Sequence, residues 1–248
     1  MMLFWDAILW IFSPDRLTGS SPLPLLIGQH LAYTLVSVAI AAVIAIPVGY
    51  LIGHTGRGRE IAVGISGAAR ALPSFGLMLL LVLLIGVTQK PLAATIAFVI
   101  LAIPSILAGA YAGLEQIDRR VIDAARAVGM TEWQILWKVE VPLGLPLLIG
   151  GLRSAALQVV ATVTIAGYIG LGALGLPIIA GLELRDFTRM LGAALLIVVL
   201  ALAIDGVFAV IQHLVVPRGV TAGRVADLRP TSSRRRAVMG TPIEEGRG

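Results

Sequence analysis

The chain has 248 residues, 58% of them hydrophobic and 13% charged, with a mean hydropathy of +0.94, whereas a soluble domain is nearer half apolar and about a quarter charged. That composition excludes an ordinary soluble domain and predicts an all-α polytopic membrane protein. The absence of cysteine excludes a disulfide framework, a thiolate metal site and a thiol nucleophile, and a net charge of +5 without a nucleic-acid-binding motif excludes nucleic acid as the reason for the basic balance.

In chain order, residues 1–12 are apolar with no Lys or Arg before Arg16, the reverse of a cleaved signal peptide. They read as a short interfacial helix with Trp5 and Trp10 at headgroup level, within an N-terminal segment 1–24. A transmembrane domain is expected over 25–216. Four runs, 17–53, 71–89, 91–114 and 154–182, lack Asp, Glu, Lys and Arg. Five spans fit, at 29–53, 71–89, 92–113, 145–168 and 190–213, each long enough to cross about 30 Å of hydrocarbon.

If the loop after the first span, the stretch 119–138 and the C-terminal tail share one side, that side holds two, four and seven basic residues, thirteen of the 19 in the chain. Positive residues collect in the cytoplasm, so the N-terminus is expected outside and the C-terminus inside. The tail 217–248, with Arg234, Arg235 and Arg236 among Gly, Pro, Ser and Thr, has too little apolar surface to order itself and reads as a disordered basic tail near lipid.

Within the spans, Gly49/Gly53 and Gly109/Gly113 are small-xxx-small pairs that favour packing seams. Pro47, Pro73 and Pro104 interrupt three spans and are candidates for kinks or for carbonyls freed toward a polar path. AGYIGLGALG, 166–175, ends the fourth span. Its Tyr168, Gly170, Gly172 and Gly175 suit either a gate or a tight re-entrant turn. Arg153 and Asp205 lie at matching depths of roughly 12 Å in the fourth and fifth spans, and an unpaired charge there is costly, so the two are expected to pair. Arg70 is expected to snorkel to the inner surface. His30, His54 and His213 show no metal-ligand spacing and read as surface or capping residues. No nucleophile, base and orienting group occur together, so no catalysis is expected in this chain.

The charge-rich stretch 118–146 predicts two short helices. Asp118 caps the first, Val121, Ile122, Ala125 and Val128 share one side, and Gly129 ends it in a left-handed conformation. Thr131 and Gln134 form a capping box for the second, in which Trp133 and Trp137 lie one turn apart. Pro142 and Pro146 are expected to mark a turn into the fourth span. Ala124 and Ala125 are small enough for a helix to sink into a cleft on another protein.

The pattern Asp123-Ala124-Ala125, Gly129, then Val141-Pro142 resembles the EAA...G...LP motif of permease subunits in binding-protein-dependent ABC importers, with Asp at the position usually held by Glu. GQHLAYTLVSVAIAAVIAIPVG, ALPSFGLMLLLVLLIG, DAARAVGMTEWQILWKVEVPLGLPLLIGGLRSA and AGYIGLGALG extend the resemblance over residues 29–213, toward the glycine betaine/carnitine/choline branch. The resemblance implies that the 119–138 stretch is a cytoplasmic coupling helix. It also implies a bacterial inner-membrane location, an ABC ATPase dimer that supplies ATP and Mg chemistry, a second permease subunit, an extracytoplasmic substrate-binding protein, and import of a quaternary-amine osmoprotectant. No Gly-rich loop followed by Lys-Ser or Lys-Thr is present, so energy must come from a partner, and no cofactor is expected in this chain.

Two alternatives compete with this reading: an ABC permease for another small solute such as an amino acid, and an ion-coupled secondary carrier. The carrier needs a buried carboxylate, for which Asp205 is the candidate. With 4 Trp, 4 Tyr and 6 Phe, many in surface segments, the spans are poorly stocked for an aromatic cage around a quaternary amine. Selection by the external binding protein is expected instead.

Overall fold

A computed structural model describes residues 2–19 and 21–215, and among these the secondary structure is helical throughout, without a strand. The basic tail 217–248 lies outside the described residues. The order is α1 (Met2–Ile11), α2 (Pro14–Thr18), α3 (Leu23–Thr55), α4 (Arg59–Ala71), α5 (Ser74–Ile85), α6 (Lys90–Glu115), α7 (Arg119–Ala127), α8 (Glu132–Ile135), α9 (Val141–Ile165), α10 (Gly175–Leu184) and α11 (Phe187–Val215). Four helical runs are long and apolar enough to cross a membrane: α3, α6 with its preceding turn, the continuous helix from Glu132 to Ile169, and α11.

The expected second span, 71–89, is not one rod. Its α-helical part is α5, which meets α4 in an elbow bent by 88° at the start of the expected span. Pro73 explains the break: its ring disfavours helical backbone in the preceding residue, Leu72 is extended (φ −68°, ψ 128°), and Pro73 becomes the N-cap of α5. Pro47 and Pro104, by contrast, lie inside α3 and α6 without ending them. The expected turn at Pro142 and Pro146 is also absent. Residues Leu136–Glu140 form a π-turn, in which the Val141 amide donates to the Leu136 carbonyl, and the helix runs from Glu132 straight into α9. A proline ring clashes with the carbonyl four residues earlier, and the extra residue of a π-turn opens that space.

The core is α6 held between α3 and α9. Phe98, Ile106 and Ala110 of α6 are fully buried. Both seams rely on missing side chains. A Cβ at Gly53 of α3 would come 2.8 Å from Leu114 Cβ and 2.9 Å from the Tyr111 carbonyl oxygen, and one at Gly49 would strike Ala110 Cβ. On the other face, a Cβ at Gly109 would lie 2.6 Å from the Leu147 carbonyl oxygen and one at Gly113 would lie 2.7 Å from that of Gly144. Lipid tails are as apolar as Leu, so helices associate through close packing of this kind rather than through hydrophobic exclusion.

The outer layer is α1, α10 and α11. Helix α1 does more than lie at an interface: Ala7 is fully buried and Trp10 sits over Gly192 of α11, where a Cβ would meet its ring at 2.6 Å. Trp5 remains exposed. Only 6% of the apolar window of α11 is buried, as suits a helix that is apolar all round and faces lipid. Its polar exception, Asp205, receives a two-pronged contact from the Arg153 guanidinium of α9, Nε to Oδ1 and Nη2 to Oδ2.

Two outcomes test this packing. Gly109→Ala should lower the stability of the purified permease in detergent by about 1–3 kcal/mol. Gly150→Ala, where a Cβ meets nothing within 4 Å, should stay within about 0.5 kcal/mol of wild type; equal thermal shifts for the two would refute the seam. Asp205→Asn should lower the melting temperature and the double exchange Arg153→Asp with Asp205→Arg should restore it, as read by thermal unfolding.

Candidate functional site

The charge-rich stretch projects as a helical hairpin whose ends are closed by its own side chains. The Asp118 carboxylate accepts the Arg120 amide at 2.9 Å, which satisfies a first-turn donor of α7. At the other end Gly129 has φ +85°. The Gly129 amide donates to the Arg126 carbonyl and the Met130 amide to the Ala125 carbonyl, the paired bonds of a glycine helix stop. Thr131 and Gln134 close the reciprocal cap that starts α8, at 3.3 and 3.0 Å. Arg126 then crosses the turn, its Nε donating to Glu132 at 2.8 Å and its Nη2 at 3.1 Å. Those bonds hold the Arg126 guanidinium above its ordinary pKa.

The small pair divides its labour. Ala125 is buried against the body of the chain, whereas Asp123, Ala124 and Gly129 are exposed. Val128 is 79% exposed and Val121 42%, so the expected common apolar side is not one buried stripe: Ala125 faces inward and the two valines outward. Trp133 and Trp137 meet edge to face at 6.0 Å, and Trp137 meets Tyr50 of α3 at 6.5 Å.

The hairpin is clasped to α3 by ionisable groups. His54 Nδ1 lies 2.6 Å from the Glu140 carboxylate, and His54 Nε2 lies 3.7 Å from Glu132. Glu140 is 6% exposed, and it belongs to the π-turn that joins the hairpin to α9. Arg59 of α4 reaches Glu115 at the end of α6, at 3.4 Å. A cleft of about 630 Å³ lies among these groups, lined by His54, Arg59, Glu115, Asp123, Arg126 and Glu140. Four helices and the hairpin are therefore linked at one end of the bundle.

At the other end, 166–175 folds as a re-entrant turn. Ala166–Ile169 tightens to a 3₁₀ turn, Gly170 and Gly172 take φ of +71° and +88°, and α10 starts at Gly175. A Cβ at Gly167 would meet the Gly175 backbone at 2.6 Å. Gln29 of α3 fixes the turn, its Oε1 accepting the Ala173 amide at 3.0 Å. Tyr168 is 57% exposed and stacks edge to face on Phe75 at 5.6 Å, two residues past Pro73. Pro104 is buried within α6, and its carbonyl accepts from Arg70 Nη2 at 3.3 Å. Arg70 therefore touches α6 away from its ends, while its side chain stays exposed.

Sequence reasoning missed three of these groups. Gln29 and Glu140 carry no local signal, because their partners lie 144 and 86 positions away. His30 was expected at a surface or a cap, yet it is fully buried, with Nε2 donating to the Val160 carbonyl of α9 at 3.1 Å. Seven residues of helix precede it in α3, so it sits inside the bundle. No cluster of His, Asp and Glu suited to a metal occurs among the described residues.

Residues 45–219 match the family described as "Binding-protein-dependent transport system inner membrane component". The chain is 30% identical over 193 residues to the glycine betaine/carnitine/choline transport system permease protein OpuCB of Bacillus subtilis, covering 78% of this chain and 88% of that one. It is 34% identical to the osmoprotectant import permease protein OsmW of Salmonella typhimurium, covering 77% and 91%. A chain of the MetNI methionine ABC transporter, solved in inward-facing conformations, superposes with a TM-score of 0.69 at 26% identity, covering 79% of this chain and 96% of that one. With its family match extending over most of the helical bundle, this chain belongs to the inner-membrane components of binding-protein-dependent transport systems and is a multi-pass membrane protein.

Proposed function

We propose that this chain is the permease subunit of an ABC importer that takes up an osmoprotectant such as glycine betaine, choline or carnitine. OpuCB is named for glycine betaine, carnitine and choline and OsmW for osmoprotectant import, and the similarity covers 88% and 91% of those two chains. The observation that carries the mechanical part of the reading is the unbroken helix from Glu132 to Ile169. It makes the exposed hairpin and the interior of the bundle parts of one lever.

In this reading the hairpin faces the cytoplasm and Asp123, Ala124, Gly129 and their neighbours rest on an ABC ATPase dimer, which binds ATP and Mg. Ala124, with a single methyl and an exposed position, admits close approach of the partner, while Ala125 holds the hairpin to its own chain. Closure of the ATPase dimer displaces the hairpin. The displacement passes through Glu140 and the π-turn into α9, and through His54 into α3, biasing the bundle between inward-facing and outward-facing arrangements. A second permease subunit, identical or homologous, completes the path, and an extracytoplasmic binding protein delivers the solute at the 166–175 end. Pro142 takes part as the residue that follows the π-turn and opens α9.

An ion-coupled carrier fits less well, because Asp205, the carboxylate such a mechanism would use, is engaged by Arg153.

Three measurements test the proposal. Proteoliposomes holding the complete complex should accumulate radiolabelled glycine betaine only with ATP inside and binding protein outside; uptake that continues without ATP and stops on collapse of an ion gradient would refute it. Gly129→Leu places a side chain in left-handed backbone at a cost of about 1–2 kcal/mol, so the complex should lose ATPase association or hydrolyse ATP without uptake; wild-type assembly and uptake would count against the hairpin as the coupling element. Glu140→Gln and His54→Ala should lower uptake per ATP hydrolysed while leaving ATPase binding intact, read as the ratio of the two rates in the same vesicles.

A further inference from the structure

The Pro73 elbow sets an arginine against the middle of α6, with its side chain exposed on an open face of the bundle. Arg70, in the last turn of α4, donates to the Pro104 carbonyl of α6. Pro104 lies roughly 17 Å from Glu115 at one end of that helix and roughly 21 Å from Lys90 at the other, at 1.5 Å per residue. Arg70 therefore contacts α6 near mid-depth, where a guanidinium is costly unless it serves a ligand or a partner. No carboxylate pairs with it among the described residues, and the Pro104 carbonyl is the one acceptor it meets there. Four of its five N–H donors meet no acceptor among the described residues.

Those donors border a cavity of about 310 Å³ lined by Arg70, Ser74, Leu101, Gln158, Thr162 and Ile165. Gln158 adds to the donor set. Its Oε1 is occupied by the Ser105 hydroxyl at 3.4 Å, and its Nε2 hydrogens meet no acceptor among the described residues. The first turn of α5 begins at Ser74 on the same wall, with no side-chain cap, and so adds the positive end of a half-helix. One residue further, Phe75 meets Tyr168, and both rings are exposed. The cavity wall is thus largely apolar, with Leu72, Leu101, Ala161 and Ile165 around one guanidinium and one amide, and the aromatic pair begins one residue beyond it in the chain.

Resting on the importer reading above, we propose that Arg70 and Gln158 form a carboxylate-reading station on the solute path, which favours zwitterionic quaternary amines over purely cationic ones. A carboxylate matches the planar fork of the guanidinium, and the quaternary ammonium of the same solute is suited to the Tyr168 and Phe75 faces. Choline presents a hydroxyl where betaine and carnitine present a carboxylate, so it gains nothing from Arg70 and is repelled by its charge.

The test uses the whole complex in proteoliposomes at saturating binding protein, with labelled glycine betaine, carnitine and choline as separate probes. Arg70→Gln should slow glycine betaine and carnitine uptake by about tenfold or more, as expected when one partner of a charged contact is removed, and leave choline uptake unchanged or faster. Arg70→Lys should fall between, and Gln158→Leu should move the rates in the same direction to a smaller extent. ATP hydrolysis without solute should match wild type in each, which separates path chemistry from misfolding; if Arg70→Gln fails to assemble, Arg70→Lys and Gln158→Leu carry the test. Variants that slow all three solutes equally, or leave betaine uptake untouched, overturn the station and leave the importer reading standing. So does a wild-type complex that carries choline alone. A wild-type complex that carries none of the three overturns the importer reading and the station together.

Discussion

Backbone-to-backbone approach along α6 is the constraint on which the architecture depends. In lipid there is little to gain from merely hiding apolar side chains, so the helices must gain from contact density. Gly49 and Gly53 let α6 onto α3, and Gly109 and Gly113 set α6 against Gly151 and Gly144 of α9. Once those two seams are fixed, the remaining helices attach to a rigid three-helix slab. The elbow of α4 and α5 leans on α6, α11 is held to α9 by Arg153 and Asp205, and α1 closes over α11 through Trp10.

A rigid slab is useful to a transporter only if something at its edge can turn it. The structure supplies two such joints at one end. One is covalent: the π-turn carries the hairpin into α9 without a flexible loop. The other is ionic, His54 with Glu140 and Glu132, and it ties the same hairpin to α3. Because α3 and α9 flank α6, the hairpin is joined to both faces of the slab. The opposite end has a different character, with the chain doubled back over Gly167 and Gly175 and pinned by Gln29.

Much of this was legible in the sequence because lipid imposes few and strong rules. The uncharged runs located α3, α6 and the C-terminal half of the helix ending at Ile169, the small-residue spacing located both seams, the caps at Asp118 and Thr131 and the stop at Gly129 bounded the hairpin, and the matching depths of Arg153 and Asp205 foretold their contact. The failures share one cause. Whether a proline breaks a helix depends on what surrounds it: Pro73 breaks its span, Pro47 and Pro104 are carried through, and Pro142 is accommodated by a π-turn that no local propensity signals. Likewise the sequence alone suggests a span from 29 and so a terminal His30, whereas α3 starts at Leu23. Partners far apart in sequence, such as Gln29 with Ala173, exist only once the bundle has formed.

The π-turn has one further implication. Each residue of an α-helix advances the azimuth by about 100°, so the additional residue accommodated between Leu136 and Glu140 sets the angular phase of everything N-terminal to it. A shorter homologous chain that dropped that residue would keep its span and its hairpin intact, yet aim the alanine-bearing ridge about a quarter-turn around the helix axis. The π-turn thus acts as an indexing mark, fixing the direction in which the protruding element points as well as its distance from the bundle.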